Sequence, residues 1–382
     1  TGAGLHTPST PALHITVAQP LAANGWTTDS KLLGQLVDEG GISSSKLAKI
    51  AMPSKDDDAR LKSLQQTFAK HDMLQVVGDP TYLQAMAMPT RVDGITQPAL
   101  FDITAYSAMN NAPAYSAAGI NDRQWSAANA DITAYAWQGN GNWTLQALTK
   151  ARQQGYGTVI ATHDFEEDDA ATVRTGKTVV STDAGDITVL SAQNVLSGLA
   201  QGKATSDDAN ADSEGTTAGR LARFVAQSAF YQMEQPYAER NLLVCLNEDS
   251  DPSVVDALMG DIEQSPWLNL TDLATLKDAD ISEDAASMST DLPQTDGLTD
   301  GMRSDVQQTL SALANSSSNI KRFNTSILVK PNGKDESDVN TWSRQLTNAH
   351  TIMALHALGG ESPSRSTMAE GANQLAVLLI NC

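Results

Sequence analysis

The chain has 382 residues, 41% of them apolar, enough to bury one large core or two medium ones. Against 25 Lys and Arg stand 45 Asp and Glu, and the formal charge of −20 opposes attraction to phosphate backbones, so nucleic acid is not an expected partner. No run of about 18 apolar residues occurs, so no segment here is expected to enter or span a membrane.

Residues 1–12, "TGAGLHTPSTPA", have the Pro, Thr and Gly character of a linker, and the sequence reads as part of a longer protein. From residue 13 onward, short apolar β-rich runs alternate with helical patterns, the signature of βα units and a mostly parallel sheet. The strand runs are 13–22, 74–79, 132–138, 158–163, two within 177–191, and 241–247, giving six or seven strands. The charged stretch 53–60 and the Ser- and Asp-rich stretch 204–216 read as surface segments.

The clearest unit covers residues 131–163. After the strand, "NGNWTLQALTKARQQGYG" offers Asn142 as a cap, one apolar face of Trp143, Ala147, Leu148 and Ala151, and Gly155 as a left-handed stop. The strands on either side of this helix should be parallel near neighbours. Residues 213–235 carry Leu221, Phe224, Val225 and Ala229 at helical spacing, and the helical pattern after 247 starts near Pro252 and stops at Pro266.

These features divide the chain into a linker (1–12), a strand–helix domain (13–276), an acidic loop (277–301) and a mainly helical region (302–382) packing on that domain. The final stretch, "NQLAVLLINC" (373–382), reads as a strand that begins a following module. Cys245 has the setting of a buried strand thiol and Cys382 lies at the chain end, so a disulfide between them is not expected.

In parallel α/β folds the functional groups sit on the loops after the carboxyl ends of the strands. That rule selects Asp79, the His163–Asp164 pair and Glu248 as catalytic candidates, with Trp137 and Gln138 as substrate-binding candidates. Each has a plainer reading: His163 and Asp164 as a solvated strand end, Asp79 before Pro80 as a turn and helix cap, and Glu248 in "LNEDSDPS" as part of a helix-initiating turn. Six tryptophans supply surfaces of the kind sugar rings stack on, and Trp137 is the one placed at a strand end. His350 and His356, six residues apart, fall on different faces of one helix and are set aside. No H-E-x-x-H, C-x-x-C, G-x-S-x-G or phosphate-binding G-x-x-x-x-G-K-[ST] occurs, so no metal site and no cofactor is expected.

The order of "VAQPLA" (17–22), "TDSKLLGQLVDEGG" (28–41), "GDPTYLQAM" (78–86), "AYAWQGNGNWTLQAL" (134–148), "AERNLLVCLNED" (238–249) and "DIEQSPWLNLTDLATL" (261–276) resembles the DUF6049 family, the extracellular domain of actinobacterial cell-envelope proteins of unknown function. The resemblance implies a secreted or membrane-anchored protein on the extracellular face, with a signal sequence before this segment and an immunoglobulin-like module and a transmembrane helix after it. It also implies a (β/α) barrel like those of polysaccharide deacetylases and glycoside hydrolases. The aspartate doublet and H-x-x-x-H of active deacetylases are not visible here, whereas a glycosidase needs only two carboxylates about 5–10 Å apart, such as Asp79 or Asp164 with Glu248. The expected function is a degenerate barrel binding an envelope glycan or a protein partner. The alternatives are a glycoside hydrolase-like or deacetylase-like enzyme acting on cell-wall carbohydrate, and a scaffold for envelope proteins.

Overall fold

The computed structural model describes residues 10–86, 91–110, 112, 115, 132–163, 165, 172–281, 291–294, 297–327, 334–359 and 362–381. Its strands are β1 (Leu13–Leu21), β2 (Trp26–Thr28), β3 (Ala51–Pro53), β4 (Gln75–Gly78), β5 (Gly94–Ile95), β6 (Tyr135–Trp137), β7 (Thr158–Ala161), β8 (Lys177–Thr182), β9 (Gly185–Ser191), β10 (Asn241–Cys245) and β11 (Leu268–Leu270).

One sheet runs β10-β1-β4-β5, all parallel, with β11 beside the first residues of β1. A second runs β6-β7-β9-β8, parallel except for the β8–β9 hairpin, so the two runs within 177–191 become an antiparallel pair with β8 at the edge. Single parallel bridges, Ile95 to Ala134 and Ala192 to Leu243, join the two sheets at both sides. β1 is buried along nearly its whole length, as expected of a parallel strand covered on both faces.

The strands' alternation sorts their side chains into separate cores. Ala18, Val77, Tyr135, Trp137, Ile160, Leu190, Leu243 and Cys245 form one cluster, completed by Leu273 and Leu276 of the helix Leu273–Asp278. Their strand neighbours Val17, Val76, Val159, Val189 and Val244 point the other way, against helices.

The 131–163 crossover forms as the sequence predicts. Its helix, Leu145–Gln153, buries Ala147, Leu148 and Ala151, Gly155 takes φ +95°, and β6 and β7 pair in parallel. The cap differs: Thr144, not Asn142, accepts from the Ala147 amide.

The 53–60 stretch is a surface segment, exposed or half-buried from residue 54 on, and it opens the helix Lys55–Lys70, where Asp56, Asp57 and Asp58 favour the positive N-terminal end and Leu61, Leu64 and Phe68 are buried. One further reading is corrected. Residues 373–380 are no strand but the end of the helix Ser362–Ile380: Met368, Ala372, Leu375, Ala376 and Leu379 bury one face at helical period.

The C-terminal part is mainly helical. Asp300–Arg322, Lys334–Gly359 and Ser362–Ile380 pack on one another, and the last also packs on β2. Among the described residues no helix is long and apolar enough to cross a membrane.

Candidate functional site

Strand β4 ends at Gly78, and Asp79 follows it, immediately before the helix Pro80–Met86. Thr81 donates to Asp79 Oδ1 from its backbone N and from Oγ1, each at 2.8 Å, so the plainer reading of Asp79 as a helix cap holds. That occupies one oxygen only. Asp79 is 1% exposed, and its Oδ2 has no hydrogen-bond partner.

Asp79 lines a pocket of about 40 Å³ at the carboxyl ends of the strands. Asp79, Thr96, Gln97, Trp137, Gln138, Gly139 and Glu248 come to it from four strand ends. Trp26 lies beyond β1, and His356 and Gly359 arrive from the C-terminal region. The space suits water or a small polar group rather than a whole sugar ring.

Two acidic residues, Asp79 and Glu248, therefore line one pocket. Burial lifts Asp79 to about 7, against the lowering hydrogen bonds from Thr81 and Tyr82. Glu248 is half-buried in the loop after β10, where a Cβ on Gly139 would stand 3.2 Å from its Oε1. Desolvation lifts it to about 7 as well; Arg60 pulls it down, while Asp79, Asp249 and Asp57 push it up. Near neutrality such a pair holds roughly one proton between them.

Gln97 is 2% exposed, and neither its amide oxygen nor its amide nitrogen has a partner. Unmade hydrogen bonds on buried groups cost free energy, so Gln97 and Asp79 Oδ2 are groups that a polar ligand would satisfy.

His356 Nε2 lies 2.7 Å from Thr81 Oγ1 and 3.8 Å from Asp79 Oδ2, and its ring stacks on Trp26 with centroids 3.5 Å apart. Burial pushes it down to about 3, so it is neutral. The sequence sets this residue aside. The one local signal is a lone histidine within the apolar run "IMALHAL" (352–358).

The remaining candidates divide. Trp137 is buried, its indole N–H donating to Thr162 Oγ1 at 3.3 Å, so it is a wall of the pocket rather than an open stacking surface. Both ends of the Gln138 amide are engaged by the fold: Oε1 accepts from Phe101 N at 2.9 Å, and Nε2 donates to Asn142 O at 2.5 Å. His163 does not line the pocket; its Nε2 bonds Asn140 O at 2.8 Å. Asp164 lies outside the described residues. Among the described residues, no group of three or more His, Cys, Asp or Glu could hold a metal ion.

The model of the family described as "Family of unknown function (DUF6049)" matches residues 1–381. The chain belongs to the DUF6049 family. No curated protein matches this DUF6049 chain. A solved structure to which it is similar is the crystal structure of the novel alpha-amylase AmyC from Thermotoga maritima, with 6% identity over 97% of this chain and 98% of that chain, at a TM-score of 0.47.

Proposed function

We propose that residues 13–276 form a (β/α) barrel of seven parallel strands, and that the rim pocket of this DUF6049 chain takes one hydroxyl of a neutral, hydroxyl-rich ligand, the end of a cell-envelope glycan whose ring stays outside the pocket. The single bridges at Ile95–Ala134 and Ala192–Leu243, together with an inner cluster fed by β1, β4, β6, β7, β9 and β10, support the barrel. One observation carries the ligand class. Asp79 Oδ2 and both ends of the Gln97 amide are buried without partners in a pocket walled by Trp26 and Trp137. A buried carboxyl oxygen and a buried amide without partners suit a ligand that offers a hydroxyl, which can both donate and accept. A net charge of −20 disfavours an anionic ligand.

The placement at an envelope, outside the membrane, rests on the family resemblance and the Ser-, Thr- and Asp-rich composition. A glycan array probed with the wild type and with Asp79→Asn and Gln97→Leu tests the reading. Binding by the wild type that both variants lose supports it, and an array blank for the wild type refutes it.

A second reading is favoured by one observation, the lifting of both Asp79 and Glu248 to about 7. A protonated and an ionised carboxyl at one site are what acid–base cleavage of a glycosidic bond requires. On this reading the protein is a glycoside hydrolase-like enzyme, and Glu248→Gln abolishes release of reducing sugar from cell-wall glycan while leaving binding measurable. No reducing sugar released by the wild type rejects it.

A further inference from the structure

We propose that His356, supplied by the C-terminal helical region, is a positioning residue of the rim pocket: through the Thr81 hydroxyl it fixes the Asp79 carboxyl so that Oδ2, and the proton of its acid form, face the ligand. This rests on the reading of the pocket as the binding site.

The number of hydrogens in the chain of contacts decides its direction. Thr81 Oγ1 stands 2.8 Å from Asp79 Oδ1 and 2.7 Å from His356 Nε2, and a hydroxyl has one hydrogen to give. Asp79 Oδ1 already accepts the Thr81 backbone N–H at 2.8 Å, which disfavours a proton on that oxygen. The hydroxyl therefore donates to Oδ1, and its lone pair is left to accept from His356. This network assigns the proton of the neutral imidazole to Nε2. The order of donation is His356 Nε2–H to Thr81 Oγ1, then Thr81 O–H to Asp79 Oδ1. Oδ2 is left to carry the proton when Asp79 is neutral, and it is the oxygen that has no hydrogen-bond partner.

Stacking on Trp26 holds the imidazole plane, and complete burial keeps it uncharged. A charged imidazolium 3.8 Å from Oδ2 would draw the Asp79 proton away; a neutral one only orients it. The strand–helix domain alone lacks this donor, so the pocket is complete only with the helix Lys334–Gly359 in place. The other charged and titratable groups acting on the pocket are Glu248 and Asp249 after β10, Tyr156 after the Leu145–Gln153 helix, and Arg60 and Asp57 from the Lys55–Lys70 helix. None of them bonds Thr81 Oγ1.

The test is made on the full chain without ligand. Nitrogen-15 NMR of the wild type should show His356 as the neutral Nε2–H tautomer down to pH 4; an Nδ1–H tautomer overturns the proposal. Carbon-detected NMR then follows the Asp79 carboxyl. His356→Phe keeps a ring against Trp26 but removes the donor, and it should raise the Asp79 midpoint by about one pH unit, because hydrogen bonding to the ionised form is weakened. His356→Gln restores an N–H and should return the midpoint toward that of the wild type. A folded His356→Phe protein with the wild-type midpoint overturns the proposal, and so does a His356→Gln protein whose midpoint is no closer to the wild type than that of His356→Phe. The tautomer measurement needs no variant, so a failure of either variant to fold leaves the proposal open to refutation. Glycan binding is read separately: a wild type that binds no glycan but shows the tautomer and the shift refutes the site reading, and the His356–Thr81–Asp79 chain stands.

Discussion

Asp79 and Thr81 are joined at one carboxylate oxygen only: Thr81 gives both its N–H and its hydroxyl to Asp79 Oδ1, and Oδ2 is left buried and unpartnered. One oxygen serves the fold and the other makes no hydrogen bond. The cost of this arrangement is a carboxyl that ionises with difficulty, and it has a consequence for stability.

Burial lifts Asp79 to about 7 in the folded chain, against about 3.9 when unfolded. Between these values the folded state binds more protons than the unfolded state. Stability from this group is therefore full below about pH 4 and is lost as pH rises through 7, by at most on the order of 4 kcal/mol. Asp79→Asn keeps the acceptor for Thr81 and removes the charge. Urea unfolding at pH 4.5 and pH 8 should show that the variant gains on the wild type at the higher pH. Equal pH dependence in the two proteins would remove the buried charge from the account.

Leu276 is fully buried among the inward side chains of the parallel strands. Replacing it with Ala deletes buried methyl groups and leaves a cavity, at a cost of roughly 2–5 kcal/mol. Chemical denaturation of Leu276→Ala checks this. A loss under about 1 kcal/mol would mean that the Leu273–Asp278 helix does not close the inner core.

Gly359 ends the long helix where it presses on the pocket wall. A Cβ there would overlap the Pro98 carbonyl oxygen, and Leu100 N already bonds Leu358 O at 3.2 Å. Gly359→Ala must push the helix away from residues 98–100, at about 3 kcal/mol or more, and loosen the pocket. Gly301 is also in a helix, but a Cβ added there would meet nothing within 4 Å, so Gly301→Ala should be neutral or mildly stabilising. Thermal melts of the two variants compare them directly, and equal melting temperatures would refute the close contact.

Much of the candidate site was legible in the chain. Parallel strands carry their loops to one end, so a rule about strand ends needs no contact map, and it brought Asp79, Trp137, Gln138 and Glu248 to one pocket. The same rule also selected His163, which the structure leaves outside that pocket, because position at a strand end does not say which way the following loop turns. Gln97 was missed because β5 has only two residues, Gly94 and Ile95, too few for an alternating pattern to register.

The amino-acid order by itself determined the alternation of strands and helices, the parallel β6–helix–β7 crossover and its left-handed glycine stop, since local period and turn chemistry act over a few residues. Only the tertiary structure decided that 373–380 completes a helix: an apolar run fits either period until the surface it packs on is known. It alone decided, too, that Thr81 and His356, 275 residues apart, share a hydrogen bond. Such a contact is set by how the C-terminal helices pack against the strand ends, and no spacing within either segment encodes it.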